Sequence, residues 1–267
     1  MDLESLLAGS RRLLVLTGAG CSTASGIEDY RDDDGAWKHT PPIQHQDFMN
    51  SLSWRRRYWA RSQRGYPSFV QARPNLAHTT LCDWAATQRL VGTITQNVDG
   101  LHQRTGHAEV IDLHGRLDEV VCMDCATRVS RAHVQAILEQ QNPLVAQADF
   151  SAAPDGDAAL IEFDYTQIHV PECAQCGGDR LKPAVVFYGD SVPRDVVDRC
   201  FGWVEAADAM LIVGSSLMVY SSFRFVRRAH ERGIPIAAIN RGKTRADDWF
   251  AVKVEADCGT TLAGINL

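Results

Sequence analysis

No apolar run in this 267-residue chain approaches the ~20 residues that a membrane-spanning helix requires, so no membrane association is expected. Positive charge is also scarce: 27 Lys and Arg stand against 33 Asp and Glu, for a net charge of -6. General nucleic-acid binding, which needs a basic surface to displace counterions, is therefore not expected. One local exception is the run from Trp54 to Arg61, which reads as a solvated helix face with buried tryptophans. The opening MDLESLLAGSRR starts acidic and has no long apolar segment, so no secretory leader is expected. Internal repeats and low-complexity tracts are missing as well. What remains, 45% hydrophobic and 22% charged residues, is the balance of an ordinary globular chain.

Short apolar runs alternate with amphipathic stretches, the pattern of an α/β architecture. Strands are expected at Arg12–Thr17, Val91–Gln96, Glu109–Leu113, Ala184–Phe187, Ala209–Gly214 and Ile234–Asn240, with a last one near Val252–Glu255. Helices are expected at Leu76–Gln88, Asp195–Ala207 and Ser222–Arg232, the last closed by Gly233 in a C-cap position. Two stretches break this rhythm. Residues 42–75 are rich in aromatics and arginine at helical spacing, and residues 116–182 carry four cysteines around a Pro/Asp/Gly-rich middle. The expected fold is a Rossmann-like doubly wound parallel sheet (1–41, 76–115 and 183–267) with a helical insertion (42–75) and an inserted small zinc-binding domain (116–182).

The third glycine of a dehydrogenase dinucleotide turn is also lacking. Leu13-Leu14-Val15-Leu16 leads into Gly18 and Gly20, the first two glycines of G-x-G-x-x-G, but Thr23 stands at the third place. The continuation, Ile27-Glu28-Asp29-Tyr30-Arg31, is polar and charged where a crossover helix would run. The turn suits a pyrophosphate, and its continuation suits an active-site loop. A second polar cluster, Thr95-Gln96-Asn97-Val98-Asp99-Gly100-Leu101-His102, follows an apolar run, at the sheet edge where α/β folds bind ligands. An Asn/Asp/Gly sequence can also be a simple turn. His114-Gly115 ends the next apolar run, and a histidine placed there is suited to act as a base.

Of eight cysteines, four form two knuckles, Cys122-Met-Asp-Cys125 and Cys173-Ala-Gln-Cys176, the second followed by Gly177-Gly178. Two C-x2-C turns complete a tetrahedral thiolate site for zinc. The competing readings are a redox pair or disulfides. An intracellular chain disfavours the latter, and two matched pairs disfavour the former. Four thiolates leave no open coordination position, so the metal is structural. Cys82 and Cys200 lie in helical patterns and read as core; Cys21 adjoins the glycine turn and is a candidate for reactivity.

GAGCSTASGIEDYR, TQNVDGLH, LHG, the paired C-x2-C, LKPAVVFYGD, GSSL and INRG, in this order, resemble the sirtuin family over nearly the whole chain. PIQHQDF, RYWAR, PNLAH and APDGD resemble its class II branch, bacterial proteins related to one mitochondrial sirtuin. Glu28 departs from a proline usual in the cofactor loop. The resemblance implies an NAD-dependent protein lysine deacylase that consumes NAD, releasing nicotinamide, free lysine and O-acyl-ADP-ribose. A protein mono-ADP-ribosyltransferase using the same site is the alternative. Catalytic roles fall to His114 as general base and to Asn97 and Asp99. The cofactor site would comprise Gly18, Ala19, Gly20, Ser22, Gly26, Ile27, Asp29, Tyr30, Arg31, Gln96, Asn97, Asp99, Gly214, Ser215, Ser216, Asn240, Arg241, Gly242 and Cys258. An acyl-lysine peptide or protein would add as a strand to Val186, Phe187, Tyr188 and Gly189, with Val219 on its other side. One structural Zn2+ would sit on Cys122, Cys125, Cys173 and Cys176. The implied location is cytoplasmic in a bacterium, or the mitochondrial matrix for a eukaryotic homologue. Tyr58 and Arg61 have the spacing found in succinyl-selective relatives, but the class II pattern carries RYWAR too. The expectation is weak deacetylation with better activity on longer or branched acyl groups.

Overall fold

The computed structural model describes residues 2–32, 34–38 and 42–267; the expected boundary at residue 41 lies outside the described residues. In chain order the strands are β1 Leu13–Thr17, β2 Leu90–Thr95, β3 Val110–Asp112, β4 Gly115–Cys122, β5 Arg128–Ser130, β6 Phe150–Ala153, β7 Asp157–Leu160, β8 Leu181–Val185, β9 Ala209–Val213, β10 Ile236–Ile239 and β11 Val252–Val254. The helices are α1 Leu3–Gly9, α2 His45–Asn50, α3 Leu52–Gln71, α4 Leu76–Ala86, α5 Leu101–Arg104, α6 Arg131–Gln141, α7 Arg194–Ala206, α8 Tyr220–Glu231 and α9 Cys258–Ala263. The chain divides into two compact units, one of Met1–Lys38, Arg73–Leu113 and Val192–Leu267, the other of His39–Ala72 and His114–Ser191.

The first unit is built on a six-stranded parallel sheet in the order β11-β10-β9-β1-β2-β3. Chain order reverses between β1 and β9, which is the doubly wound arrangement with its switch point at the sheet centre. All five residues of β1 are buried, as both faces of a parallel sheet demand. Leu14 and Leu16 face one apolar layer with Ile94, Ile212 and Phe225; Leu13 and Val15 face the other with Leu81, Leu211 and Leu262. Helix α8 shows why its sequence is helical. Ser222, Phe223, Phe225, Val226 and Ala229 form its buried stripe, Arg224, Arg227 and Arg228 lie off it, and Gly233 follows at φ 68°.

Ala184–Phe187, expected as a strand of this large sheet, is not part of it. Strand β8 covers Leu181–Val185 and pairs antiparallel with β4 in a three-stranded sheet of the second unit, order β5-β4-β8. Pro183 gives the reason: a residue with no N–H to donate suits an edge strand and not the interior of a parallel sheet. The β6–β7 hairpin completes the strands of this unit.

Helix α3 organises the second unit. Trp59, fully buried, donates its indole N–H to the Leu181 carbonyl and packs with Val120, Val134 and Leu138. Arg131 at the start of α6 is also fully buried, its guanidinium 4.2 Å from the Tyr66 ring and donating to Ser62. The Trp54–Arg61 run is less of a free basic face than its composition implies. Arg55 is buried and paired with Asp179 at 2.8 Å, and Arg61 grips Asp157 with two hydrogen bonds of 2.9 and 2.6 Å. Of its tryptophans only Trp59 is buried; Trp54 is exposed.

Gly65 is where α3 meets the β6–β7 turn. A Cβ there would lie 2.5 Å from the carbonyl oxygens of Gly156 and Asp157, both backbone atoms that cannot step aside. Gly65→Ala is therefore expected to destabilise the protein by about 1–3 kcal/mol, the range for overpacking. Thermal and denaturant unfolding measure this, and an unchanged midpoint would show that the hairpin does not rest on the helix.

Candidate active site and metal centre

In the first unit the chain leaves the carboxyl ends of β1, β2, β9 and β10 in polar loops. The β1 and β9 loops start on neighbouring strands and interlock. Gly18 N–H donates to the Val213 carbonyl and Gly20 N–H to the Gly214 carbonyl, at 3.0 and 2.9 Å. No side chain fits between them: a Cβ on Gly214, which has φ 61°, would lie 2.3 Å from the Cys21 nitrogen, and one on Gly18 2.8 Å from the Gly214 oxygen. These glycines serve loop-to-loop contact. Thr23 needs no such smallness, because the chain after Gly18 makes two short 3-10 turns, Ala19–Cys21 and Thr23–Ser25, in place of a long helix.

Ser22 is the polar junction of this region. Its hydroxyl donates to Asp99 Oδ2 at 2.7 Å and accepts from Asn97 Nδ2 at 3.0 Å. Asn97 Nδ2 also reaches the Gly18 carbonyl at 3.1 Å, and Asp99 Oδ1 accepts the Leu101 N–H at 2.8 Å. His78 Nε2 approaches Ser22 Oγ at 3.4 Å, while its Nδ1 accepts the Asn75 backbone N–H. Burial holds His78 down to about 4, so the ring is neutral and its one proton resides on Nε2. Gln96 ties the loops after β2 and β9, donating to Ser215 Oγ at 2.6 Å and accepting from Ser222 Oγ at 2.9 Å. Such a fence of amide, hydroxyl and carboxylate groups at the switch point has the donors and acceptors that ribose hydroxyls and phosphates require.

The other first-unit candidates are placed as follows. Asp29 pairs with Lys38. Arg31 donates to the Gly35 carbonyl and lies 4.0 Å from the Trp37 ring, which meets Tyr30 edge-on. Gly26 closes the second 3-10 turn at φ 83°, and Ile27 is buried behind it. Asn240 turns its amide onto the Arg241 and Gly242 carbonyls. Ser216 accepts the Arg245 N–H through its carbonyl, Val219 precedes α8, and Cys258 opens α9. Sequence reading gave no site role to His78, Asn75 or Ser222. Asn75 and His78 stand in PNLAH, where an asparagine N-cap followed by a histidine three residues later was the available signal. Ser222 left no local signal.

In the second unit His114 lies in the turn before β4, half-buried, and its carbonyl accepts the Val186 N–H at 2.8 Å. Val186–Gly189 follows β8 as non-strand backbone, with Gln44 bridged to Tyr188 and the His45 N–H donated to the Tyr188 carbonyl. Asp190, just beyond, sits between His45 at 3.2 Å and the buried Lys182 at 3.4 Å. Tyr58 packs against Phe48 and Phe187, and burial pushes its hydroxyl pKa up.

The two knuckles converge. All four sulfurs of Cys122, Cys125, Cys173 and Cys176 lie within 4.8 Å of one another, with Cys122 to Cys176 at 3.6 Å and Cys125 to Cys173 at 3.7 Å. A tetrahedron with Zn–S bonds of about 2.3 Å has edges of about 3.8 Å, so the set fits zinc. The Cys125 thiol also hydrogen-bonds the Thr127 hydroxyl at 3.2 Å.

The profile of the Sir2 family matches residues 18–221. The chain is 54% identical over 267 residues to the "NAD-dependent protein deacetylase" of Bordetella bronchiseptica, covering 99% of this chain and 97% of that one. It is 45% identical over 268 residues to the human "NAD-dependent protein lipoamidase sirtuin-4, mitochondrial", covering 99% and 85%. A solved complex described as "Sir2-p53 peptide-NAD+" superposes with a TM-score of 0.75 at 28% identity, covering 97% and 94%. Another, "Structure of Sir2Tm bound to a propionylated peptide", gives 0.76 at 27%, again over 97% and 94%. With a glycine-locked nucleotide fold, a four-cysteine centre and these matches, the chain belongs to the Sir2 family. Among the described residues no helix is long and apolar enough to cross a membrane.

Cys173 closes its own knuckle, accepting the Gly177 N–H and donating to the Gly178 carbonyl. Metal binding at such a site is coupled to folding. Cys173→Ser, or exhaustive chelation, is expected to release about one zinc per chain and to abolish the cooperative unfolding of the second unit. Metal analysis with circular dichroism tests this; a folded, active and metal-free variant would refute it.

Proposed function

We propose that this chain acts as an NAD-dependent protein deacetylase, as its relatives are named, and more specifically as a lysine deacylase yielding nicotinamide, free lysine and O-acyl-ADP-ribose. The observation that carries the reading is the Ser22 junction, which orients Asn97 and Asp99 on the glycine turn at the sheet's switch point. NAD is a substrate here. Asn97, Asp99 and Gln96 hold its nicotinamide and ribose, Gly214-Ser215-Ser216 its phosphates, and Asn240-Arg241 with Cys258 its adenosine end. Tyr30 and Arg31 cover the reacting ribose. The acyl oxygen of the substrate lysine displaces nicotinamide at C1′. His114 then takes the proton of a ribose hydroxyl as that oxygen attacks the former acyl carbon, and water adds there to release free lysine and O-acyl-ADP-ribose. Peptide recognition rests on Val186–Gly189 and Val219, through backbone pairing with little demand on sequence.

His114→Ala is expected to lower deacylation about 10²–10⁴-fold, the usual loss on removing a general base, with NAD binding retained. Single-turnover assays with isotope-labelled NAD and mass spectrometry check it. Label held stably on protein would favour ADP-ribosyl transfer instead, and a chain that never liberates nicotinamide from NAD and any acyl-lysine peptide would refute the proposal.

Acyl choice follows from Arg61. Its guanidinium is 14% exposed and already spans both oxygens of Asp157, so it is not free for a terminal carboxylate on the acyl chain. Longer neutral acyl groups are the preferred class, in keeping with the lipoamidase name of the human relative. Asp157→Asn is expected to raise kcat/KM for succinyl-lysine relative to acetyl-lysine about tenfold, equivalent to about 1.4 kcal/mol. An unchanged ratio would remove Arg61 from acyl selection.

A further inference from the structure

Besides the four-cysteine centre, the described residues hold one other group of metal-ligating side chains. Cys21, His78 and His102 are all buried, and each offers one donor atom within 4.8 Å of the others. A thiol and two imidazoles are the donor set of zinc and related ions. The hydrogen bonds around them are incompletely used. Thr17 Oγ1 donates to Thr95 Oγ1 at 2.9 Å and so accepts from His102 Nε2, 3.1 Å away. That assignment puts the His102 proton on Nε2 and leaves a lone pair on Nδ1, which has no hydrogen-bond partner and lies on a side chain 1% exposed. The ring thus keeps, in the protein interior, a lone pair that no hydrogen bond uses. His78 presents Nε2 toward the Cys21–Ser22 turn through nothing stronger than its 3.4 Å approach to Ser22.

We propose that Cys21, His78 and His102 form a second metal site, distinct from the four-cysteine centre, for a zinc-class divalent ion. On binding, the Cys21 thiol proton leaves to solvent as the sulfur–metal bond forms. Coordination through His78 Nε2 moves that ring's proton to Nδ1. Nδ1 then no longer accepts the Asn75 N–H, and Nε2 no longer reaches Ser22. Both changes fall on the segment that orients Asn97 and Asp99, so an ion at this site lowers turnover. The binding claim stands on the three ligands and does not depend on the acyl substrate.

The test uses the full chain with its four-cysteine centre loaded with zinc. Cobalt(II) is added as the probe, with metal-to-protein ratio and absorbance recorded. The wild type is expected to take up a second equivalent with a thiolate-to-cobalt charge-transfer band. Cys21→Ala and Cys21→Val are expected to stop at one equivalent without that band. Titrated with zinc, wild-type deacylation is expected to fall as the second equivalent binds, while each Cys21 variant holds its own zinc-free rate. A wild type that saturates at one metal per chain overturns the proposal, as does a second equivalent with the same band in both variants. If neither variant folds, the wild-type stoichiometry and spectrum decide by themselves.

Discussion

The close approach of two loops at the sheet's switch point is the constraint on which the rest of the first unit depends. Strands β1 and β9 pair in register, Leu13 against Ala209 through Thr17 against Val213, and their loops must then diverge within a few residues. They do so in contact, glycine backbone against glycine backbone, with no room for a Cβ at Gly18 or Gly214. The interlock fixes the path of Ala19–Ser25, and so where Ser22 presents its hydroxyl. A larger residue at either glycine would separate the loops and move every group hung on them.

From that fixed turn the polar network grows with a defined direction. Asn75 caps α4 and gives its own N–H to His78, burial keeps His78 neutral, and its remaining proton faces Ser22. Ser22 passes the sense of donation on to Asp99 while Asn97 donates into it. Hydrogen bonds in series within a low-dielectric interior reinforce one another, and each partner lost leaves a buried group unsatisfied. Dipoles already aimed in this way need no rearrangement when charge develops beside them. The same burial that orients the network also gathers Cys21, His78 and His102.

The second unit solves a different problem. Its sheet has three strands and its core is modest, and four thiols drawn to one centre link the loop after β4 to the turn before β8. Helix α3 supplies further cohesion through Trp59 and through two arginines paired with carboxylates, Arg55 with Asp179 and Arg61 with Asp157. Breaking one partner of such a pair costs more than the pair contributes, because the other charge is left behind. Arg61 is held in this way, its guanidinium spanning both oxygens of Asp157.

Much of this was legible in the residues in order. The buried run Leu13–Leu16, the helical stripe of α8, the two cysteine knuckles and the polar residues after β2 are local patterns. Their meaning depends on spacing of two, three or four residues along one strand, helix or turn. The assignment of LKPAV to a small antiparallel sheet, the Gln96–Ser222 bond, the His78–Ser22 contact and the Arg61–Asp157 pair were not legible. Each joins residues far apart in sequence, and nothing local distinguishes a serine or aspartate that will find a partner from one that will face water. Sequence determined which elements form and which atoms are available as donors, acceptors and ligands. Tertiary structure alone decided which of those atoms meet, because pairing across the chain depends on strand order and on what each contact excludes from solvent.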